Sequence, residues 1–287
     1  MSIPLVELEQ ILPNNGPSID EVKKYTTKYL NDIIVIKCGG SVLLEKNLFN
    51  QFIEDISVIN KLGLSVVVVH GGGKNIQKKL DEHNLKSAFI DGLRVTDEKT
   101  IKIVEEALLE LNFEILTEIS NHHANSVSIS PKKNNIIRVT PERKELGFVG
   151  TPTEIKKDII LEIINEKKIP LIVPMGIGED NNIYNINADV AAGAIAKELK
   201  ARRLLLMTDV EGVLDKSKNL ISEINSSMAN EMLENKTIEG GMIPKIKTCL
   251  DAVNNGVTGV VIVDGRKQHS ILFEIFSDKG AGTLIRK

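Results

Sequence analysis

Short apolar runs rich in β-branched residues alternate along this chain with stretches whose apolar positions recur every three or four residues. The runs Ile33–Cys38, Ser65–His70, Val127–Ser130, Ile136–Val139, Leu171–Pro174, Leu204–Thr208 and Val260–Asp264 predict strands. Most are apolar at consecutive positions, as strands covered by helices on both faces should be. Ile101, Val104, Leu108, Leu111, Ile115 and Ile119 make one helical stripe, with Thr96 available to cap it. Ile243, Ile246, Leu250 and Val253 make another. This alternation predicts an α/β fold: an open, mainly parallel sheet sandwiched between helices, with right-handed crossovers. Ser126–Arg143 reads differently. Two β runs there flank Pro131–Asn135, which predicts a hairpin projecting from the sheet. Ahead of the first strand, a polar helix is predicted over Ser18–Asn31.

Composition narrows the function classes. The chain has 287 residues, 42% hydrophobic and 26% charged, ordinary for a globular protein. A net charge of −3 argues against a general nucleic-acid binder, while leaving room for phosphate ligands held by a few local cations. Two cysteines, Cys38 and Cys249, make no disulfide framework and fit a reducing compartment. The first residues lack the basic stretch and apolar core of a secretory signal, and no apolar run approaches the roughly 20 residues of a membrane span. The expected location is therefore cytoplasmic, without nucleic-acid or membrane partners. No Cys/His cluster has metal-ligand spacing, so no protein-held metal is expected.

In open α/β sheets ligands bind beyond the carboxyl ends of the strands, so the residues that follow each strand carry the candidate chemistry. The first strand ends Lys37-Cys38-Gly39-Gly40-Ser41. A lysine closing an apolar strand is costly unless an anion partners it, and the two glycines let backbone N–H groups approach a phosphate. A lysine snorkelling to water explains the position equally well. The second strand ends His70-Gly71-Gly72-Gly73-Lys74 and turns into a helix near Asn75, which is an anion site by geometry. Its spacing is neither a Walker A loop nor a dinucleotide fingerprint.

Arg94, in Gly92-Leu93-Arg94-Val95-Thr96-Asp97, precedes a helix whose macrodipole disfavours a cation, so an anionic partner would make sense of it. Asn185, Asn187 and Asp189 alternate along Tyr184–Asp189 and read as a polar wall, although Asp189 also suits a plain helix cap. Thr208-Asp209 closes a later strand and offers a cap or a nucleotide contact. Gly240-Gly241 precedes Lys245, a cation in the first turn of a helix where it is electrostatically disfavoured. A local rule broken beside a glycine pair is where function is expected.

Together these turns resemble the amino acid kinase family, in its acetylglutamate branch, over roughly residues 30–287. The narrowest markers are Gly92–Asp97 and Asn185–Asp189. The resemblance implies transfer of the γ-phosphate of ATP, as its Mg²⁺ complex held mainly by the phosphates, to the side-chain carboxylate of N-acetyl-L-glutamate. It implies an N-terminal extension (1–30), a lobe for the acyl amino acid (31–180) and a lobe for the nucleotide (181–287). Lys37 and Lys245 would approach the transferring phosphoryl group from opposite halves, with Asp189 orienting both. Gly39, Gly40, Gly72 and Gly73 would supply backbone donors, the latter pair also to the substrate. Arg94 and Asn185 would hold its carboxylate and amide groups, while Thr208, Asp209 and Gly241 would serve the nucleotide. Cys38, Lys74 and the glycine-free turn at Pro131–Asn135 depart from the family pattern.

The segment His269–Phe276 followed by Gly280-Ala281-Gly282-Thr283 resembles the ending of arginine-inhibited members. Those members carry an N-terminal helix that assembles dimers into a hexamer. The resemblance thus implies L-arginine as an inhibitor held by His269, Glu274 and Gly280, and a homo-oligomer, dimer or hexamer. Glu274 also fits a surface carboxylate on an amphipathic helix. Two alternatives stand beside the kinase reading: a sister kinase acting on another acylated amino acid, and a non-catalytic amino-acid sensor. Retention of both lysines favours catalysis, since a sensor needs no phosphoryl clamp.

Overall fold

The computed structural model describes residues 5–287; residues 1–4 of the expected extension lie outside the described residues. The chain begins α1 (Leu5–Ile11), α2 (Ile19–Tyr29), β1 (Ile33–Cys38), α3 (Lys46–Lys61), β2 (Ser65–His70) and α4 (Gly73–Glu82). It continues through β3 (Phe89–Ile90), β4 (Leu93–Arg94), α5 (Glu98–Asn121), β5 (Ser126–Ile129), β6 (Ile137–Pro141), β7 (Gly150–Ile155) and α6 (Lys157–Asn165). Then follow β8 (Ile169–Ile172), β9 (Met175–Ile177), β10 (Ile183–Asn185), α7 (Ala188–Glu198), β11 (Arg203–Thr208) and β12 (Glu223–Asn225). The last elements are α8 (Ser226–Glu234), α9 (Met242–Asn254), β13 (Val260–Asp264), α10 (Ser270–Phe276) and β14 (Gly282–Arg286).

Eight strands form one sheet in the order β12-β14-β13-β11-β1-β2-β8-β5. All neighbours are parallel except β13 and β14. The period-two alternation of strand side chains sorts its apolar residues into two cores. On one face Val35, Val67, Leu204, Leu206 and Ile262 pack with Ala191 and Ile195 of α7 and with Ile246 and Leu250 of α9. On the other, Ile34, Ile36, Val68, Leu205 and Val261 meet Phe52 and Ile56 of α3, Ile115 of α5 and Ile271 of α10. Both faces are covered, which is why the strands read as continuous apolar runs and why the expected sandwich forms.

The predicted hairpin over Ser126–Arg143 does not form. Its first run, β5, pairs parallel with β8 at the sheet edge. Its second, β6, joins a separate four-stranded sheet of order β10-β9-β6-β7. A tight turn between Ser130 and Lys133 is the only ladder near the expected bend among the described residues. The apolar side chains of β6 decide the matter, because Val139 buries against Gly176, where any Cβ would stand 2.6 Å from its Cγ1. Two helix starts also differ from expectation. Asp97, not Thr96, caps α5 by accepting from the N–H groups of Lys99 and Thr100, while Thr96 donates to the Arg94 carbonyl. α4 begins at Gly73, two residues before Asn75.

The extension is docked. Ser18 and Glu21 form a capping box at the start of α2. Val22, Tyr25 and Tyr29 of α2 bury in the core that contains α10. Tyr25 donates its hydroxyl to Asp278 at 2.5 Å, and that bond, with burial, pushes the phenol up to about 12.

Candidate active site

The carboxyl ends of β1 and β2 lie side by side, with Cys38 opposite His70. Gly71 N–H donates to the Cys38 carbonyl at 2.6 Å, so the two glycine turns are tied together at their bases. A Cβ on Gly39 would stand 2.9 Å from Lys37 Nζ, so the glycine there lets the lysine fold back over its own turn. Gly40 has φ +66°, a left-handed conformation that suits glycine, and a Cβ there would meet the Asp209 carboxylate at 2.8 Å. Asp209 accepts from both the N–H and the hydroxyl of Ser41. The nucleotide candidate Asp209 therefore braces the first glycine turn from the end of β11.

Asp189 is the centre of charge. It stands at the second position of α7, and Asn187 caps that helix by accepting from the N–H groups of Asp189 and Val190. Freed from capping, the carboxylate reaches Lys37 Nζ at 2.9 Å through Oδ1 and Lys245 Nζ at 2.5 Å through Oδ2. The three side chains are 13%, 12% and 16% exposed for Lys37, Lys245 and Asp189. Burial alone would raise the Asp189 carboxyl, but the two ammonium groups outweigh it and hold the acid well below the usual carboxylate range. Lys245 lies in the first turn of α9, where the macrodipole opposes a cation, and Asp189 supplies the missing counter-charge.

One cleft is lined by Lys37, Gly39, Gly40, Gly71, Gly72, Gly73, Arg94, Asn185 and Asp189. Arg94 is buried in that lining. Its guanidinium donates to the side chains of Gln77 and Ser87 and to the Gly73 carbonyl, and it lies 4.7 Å over the Phe89 ring. All these partners are neutral, burial pushes its pKa down, and no ion pair involves it among the described residues. A buried cation pinned by neutral groups is prepared for an anion.

Thr208 sits at the end of β11 beside Asp264, outside this cleft lining. Gly241 precedes α9 and is likewise outside the lining, as is Lys245 four residues on, which meets the cleft only through Asp189. His269, Glu274 and Gly280 lie elsewhere, around α10. His269 contacts Asp55 of α3 through Nδ1 at 2.7 Å. Glu274 accepts from Ala281 N–H at 2.7 Å, and a Cβ on Gly280 (φ +67°) would stand 3.0 Å from its carboxylate. Burial pushes the Glu274 carboxyl up, partly offset by that N–H. It is thus not the simple surface carboxylate of an amphipathic helix.

Two lining residues were missed: Phe89 and Val149 reach the cleft from segments far apart in the chain. Phe89 had one hint, as one of seven phenylalanines in a chain only 3% aromatic, and it is exposed; Val149 had none. Ser41 was visible beside the glycines, but its bond to Asp209 was not.

An open, mainly parallel sheet with two lysines clamped on one carboxylate beside paired glycine turns defines a small-molecule kinase of the α/β class. The model of the amino acid kinase family matches residues 32–264. The chain belongs to that family. It is 57% identical over 281 residues to an acetylglutamate kinase of Pelagibacter ubique (strain HTCC1062), covering 98% of each chain. It is 44% identical over 264 residues to an acetylglutamate kinase of Campylobacter fetus, covering 91% of this chain and 94% of that one. Among solved structures, N-acetylglutamate synthase from Neisseria gonorrhoeae complexed with coenzyme A and N-acetyl-glutamate shares the fold. It has a TM-score of 0.85 at 20% identity, and the alignment covers 99% of this chain and 64% of the longer one.

Proposed function

We propose that this chain transfers the γ-phosphoryl group of ATP to the side-chain carboxylate of N-acetyl-L-glutamate, a step of arginine biosynthesis. The observation that carries the reading is Asp189 holding Lys37 and Lys245 together at the glycine-lined cleft. The nearly full-length likeness to acetylglutamate kinases supports the choice of substrate.

The chemistry needs little from the protein beyond placement. A substrate carboxylate is already ionised near pH 7, so no general base is required. One carboxylate oxygen forms a bond to the γ-phosphorus while the bond to the β,γ-bridging oxygen breaks. ADP leaves with that electron pair, the product is an acyl phosphate, and no proton moves. Catalysis then consists of in-line positioning and charge neutralisation. Lys37 comes from the acyl-amino-acid lobe (31–180) and Lys245 from the nucleotide lobe (181–287), and both neutralise the transferring group. Asp189 keeps the lysines from parting. Backbone donors of Gly39, Gly40, Gly72 and Gly73 face the phosphates, the latter pair also the substrate. Arg94 and Asn185 take the substrate's carboxylate and amide, and Thr208, Asp209 and Gly241 serve the nucleotide.

The glycine cradle above Lys37 fits a polyphosphate, because a side chain on Gly39 would fill it. No group of three or more His, Cys, Asp or Glu side chains converges among the described residues. Asp189, the carboxylate in the cleft lining, is committed to two lysines. Mg²⁺ bound mainly by the nucleotide phosphates suits that donor set, and it would supply further neutralisation of phosphate charge.

ATP turnover with N-acetyl-L-glutamate, L-glutamate and N-acetyl-aminoadipate tests the reading. Turnover only with another acyl acceptor would make the chain a sister kinase, and binding without turnover a sensor. Arg94→Lys should raise KM for N-acetylglutamate about tenfold, because an ammonium cannot replace the guanidinium fork, with a smaller change in kcat. An unchanged KM would remove Arg94 from substrate binding.

Feedback by L-arginine at His269, Glu274 and Gly280 belongs to the same reading, with α2 packed beside α10. The half-buried Glu274 carboxylate would pair the guanidinium. Millimolar arginine should inhibit the wild type, and Glu274→Gln should require much more; activity indifferent to arginine would dismiss the idea. Assembly of further copies into a dimer or hexamer is proposed with it. The described residues include no helix long and apolar enough to cross a membrane, and two free, buried cysteines suit the cytoplasm.

A further inference from the structure

His70 closes β2 and is fully buried, immediately before the glycine turn. An imidazole in that position needs both nitrogens satisfied. Its Nδ1 lies 2.8 Å from the Gly71 carbonyl oxygen, which can only accept, so Nδ1 carries the proton. Its Nε2 lies 3.1 Å from Asn112 Nδ2. The same amide nitrogen faces the Leu171 carbonyl at 3.5 Å, so it is the donor and Nε2 the acceptor. Burial pushes the imidazole down to about 4, outweighing the bond to Gly71. The ring is neutral near pH 7 as a single tautomer.

The consequence reaches the cleft through one peptide plane. A trans peptide points its C=O and N–H in opposite directions, and the backbone contains no cis bond. Holding the Gly71 carbonyl on the imidazole therefore turns the Gly72 N–H away from the buried ring, at a residue that lines the cleft. The long helix α5 presses on the same turn. A Cβ on Gly72 would stand 2.5 Å from Leu108 Cδ2, and Leu108 is one turn from Asn112 on that helix. Asn112 is itself buried, an amide spent inside an otherwise apolar stripe.

We propose that His70 and Asn112 form a positioning pair: a neutral imidazole, protonated at Nδ1, fixes the Gly71–Gly72 peptide so that the Gly72 N–H is aimed at the anion in the cleft. Neither side chain touches the reactants. The pair acts by pre-orienting a backbone donor, which costs no reorganisation when charge develops. The proposal rests on the phosphoryl-transfer reading of the cleft.

Two measurements test it. In wild-type protein labelled with ¹⁵N-histidine, long-range ¹H–¹⁵N correlation should show a protonated Nδ1 and a bare Nε2 for His70, the signal assigned by its loss in His70→Asn. An Nε2-protonated ring would overturn the proposal, whatever the enzyme does. In kinetics, His70→Asn places an amide donor where Nδ1 stands, whereas His70→Gln places one where Nε2 stands. His70→Gln and His70→Leu should lower kcat about 10–100-fold with a smaller change in KM, and His70→Asn should recover most of that loss. Equal losses in the asparagine and glutamine variants would assign the histidine to packing alone. If the His70 variants do not fold, the wild-type signal is assigned instead by elimination, through substitution of His83, His122, His123 and His269 one at a time, and still decides. Wild-type protein without kinase activity would sink the functional reading and leave the tautomer result standing.

Discussion

Lys245→Ala is expected to cut kcat on the order of 10³-fold, and Lys37→Ala comparably, with far smaller changes in KM. Both ammonium groups lie on Asp189, Lys37 in the cleft lining and Lys245 behind it, and both side chains are almost enclosed. There a charge meets little dielectric screening, so each contributes far more than an exposed lysine. The charge they neutralise spreads over the transferring phosphoryl group as bonds change, and substrate binding uses other groups. The loss should therefore fall on kcat and on kcat/KM alike. Arginine at either position should rescue poorly, because a planar guanidinium cannot occupy the place of a compact ammonium. Steady-state kinetics at saturating ATP provides the check. Near-normal turnover in both alanine variants would remove the lysines from the reaction.

Asp189→Asn is expected to be nearly as damaging, about 10²–10³-fold in kcat, although Asp189 makes no contact with phosphate in the proposed mechanism. The amide keeps the size and loses the charge, leaving two ammonium groups together with no anion between them. The aspartate's pKa sets the pH behaviour. Burial alone would raise it, but the lysines hold it well below the usual range. A depressed acid contributes stability above its unfolded value, about 3.9, and loses it only as pH falls through the lower folded value. The stability difference between wild type and Asp189→Asn should thus stay flat from about pH 5 to 8 and shrink below about pH 4. Urea titrations across that range measure it. A step near neutrality would mean that the carboxylate is not held by two cations.

The central strands of the large sheet were legible because they are buried on both faces, whereas β12 and β14 at one end, with alternate residues exposed or half-buried, were not. Ile33–Cys38 and Ser65–His70 are apolar at consecutive positions, and nothing else competes for such runs. The smaller sheet was hidden for the opposite reason. β7, Gly150-Thr-Pro-Thr-Glu-Ile155, has the composition of a turn, and only tertiary pairing with β6 makes it a strand. The hairpin expectation failed on the same point, since local sequence shows two β runs but not which sheet each joins. In the site, glycine turns and out-of-place cations could be read because each breaks a local rule. Lys245 breaks the macrodipole rule, and Arg94 lacks a visible anion. The pairing of Asp189 with both lysines came only through the family resemblance: nothing local to Asn187 indicates that it takes the capping task and leaves Asp189 for the lysines. His70 was similarly opaque, since its partner Asn112 lies in a helical stripe that otherwise reads as plain core.

β1 is bonded to β2 on one side and to β11 on the other, so a single ladder of buried strands joins the two proposed lobes. Parting the two halves outright would break that ladder, whereas a change of twist along it would not. The parts of the cleft boundary that stand outside the ladder are the β3–β4 ribbon with Phe89 and Leu93, and the small sheet that ends in Asn185. Whatever motion the proposed reaction needs costs least in those two pieces, which share no backbone hydrogen bonds with the ladder.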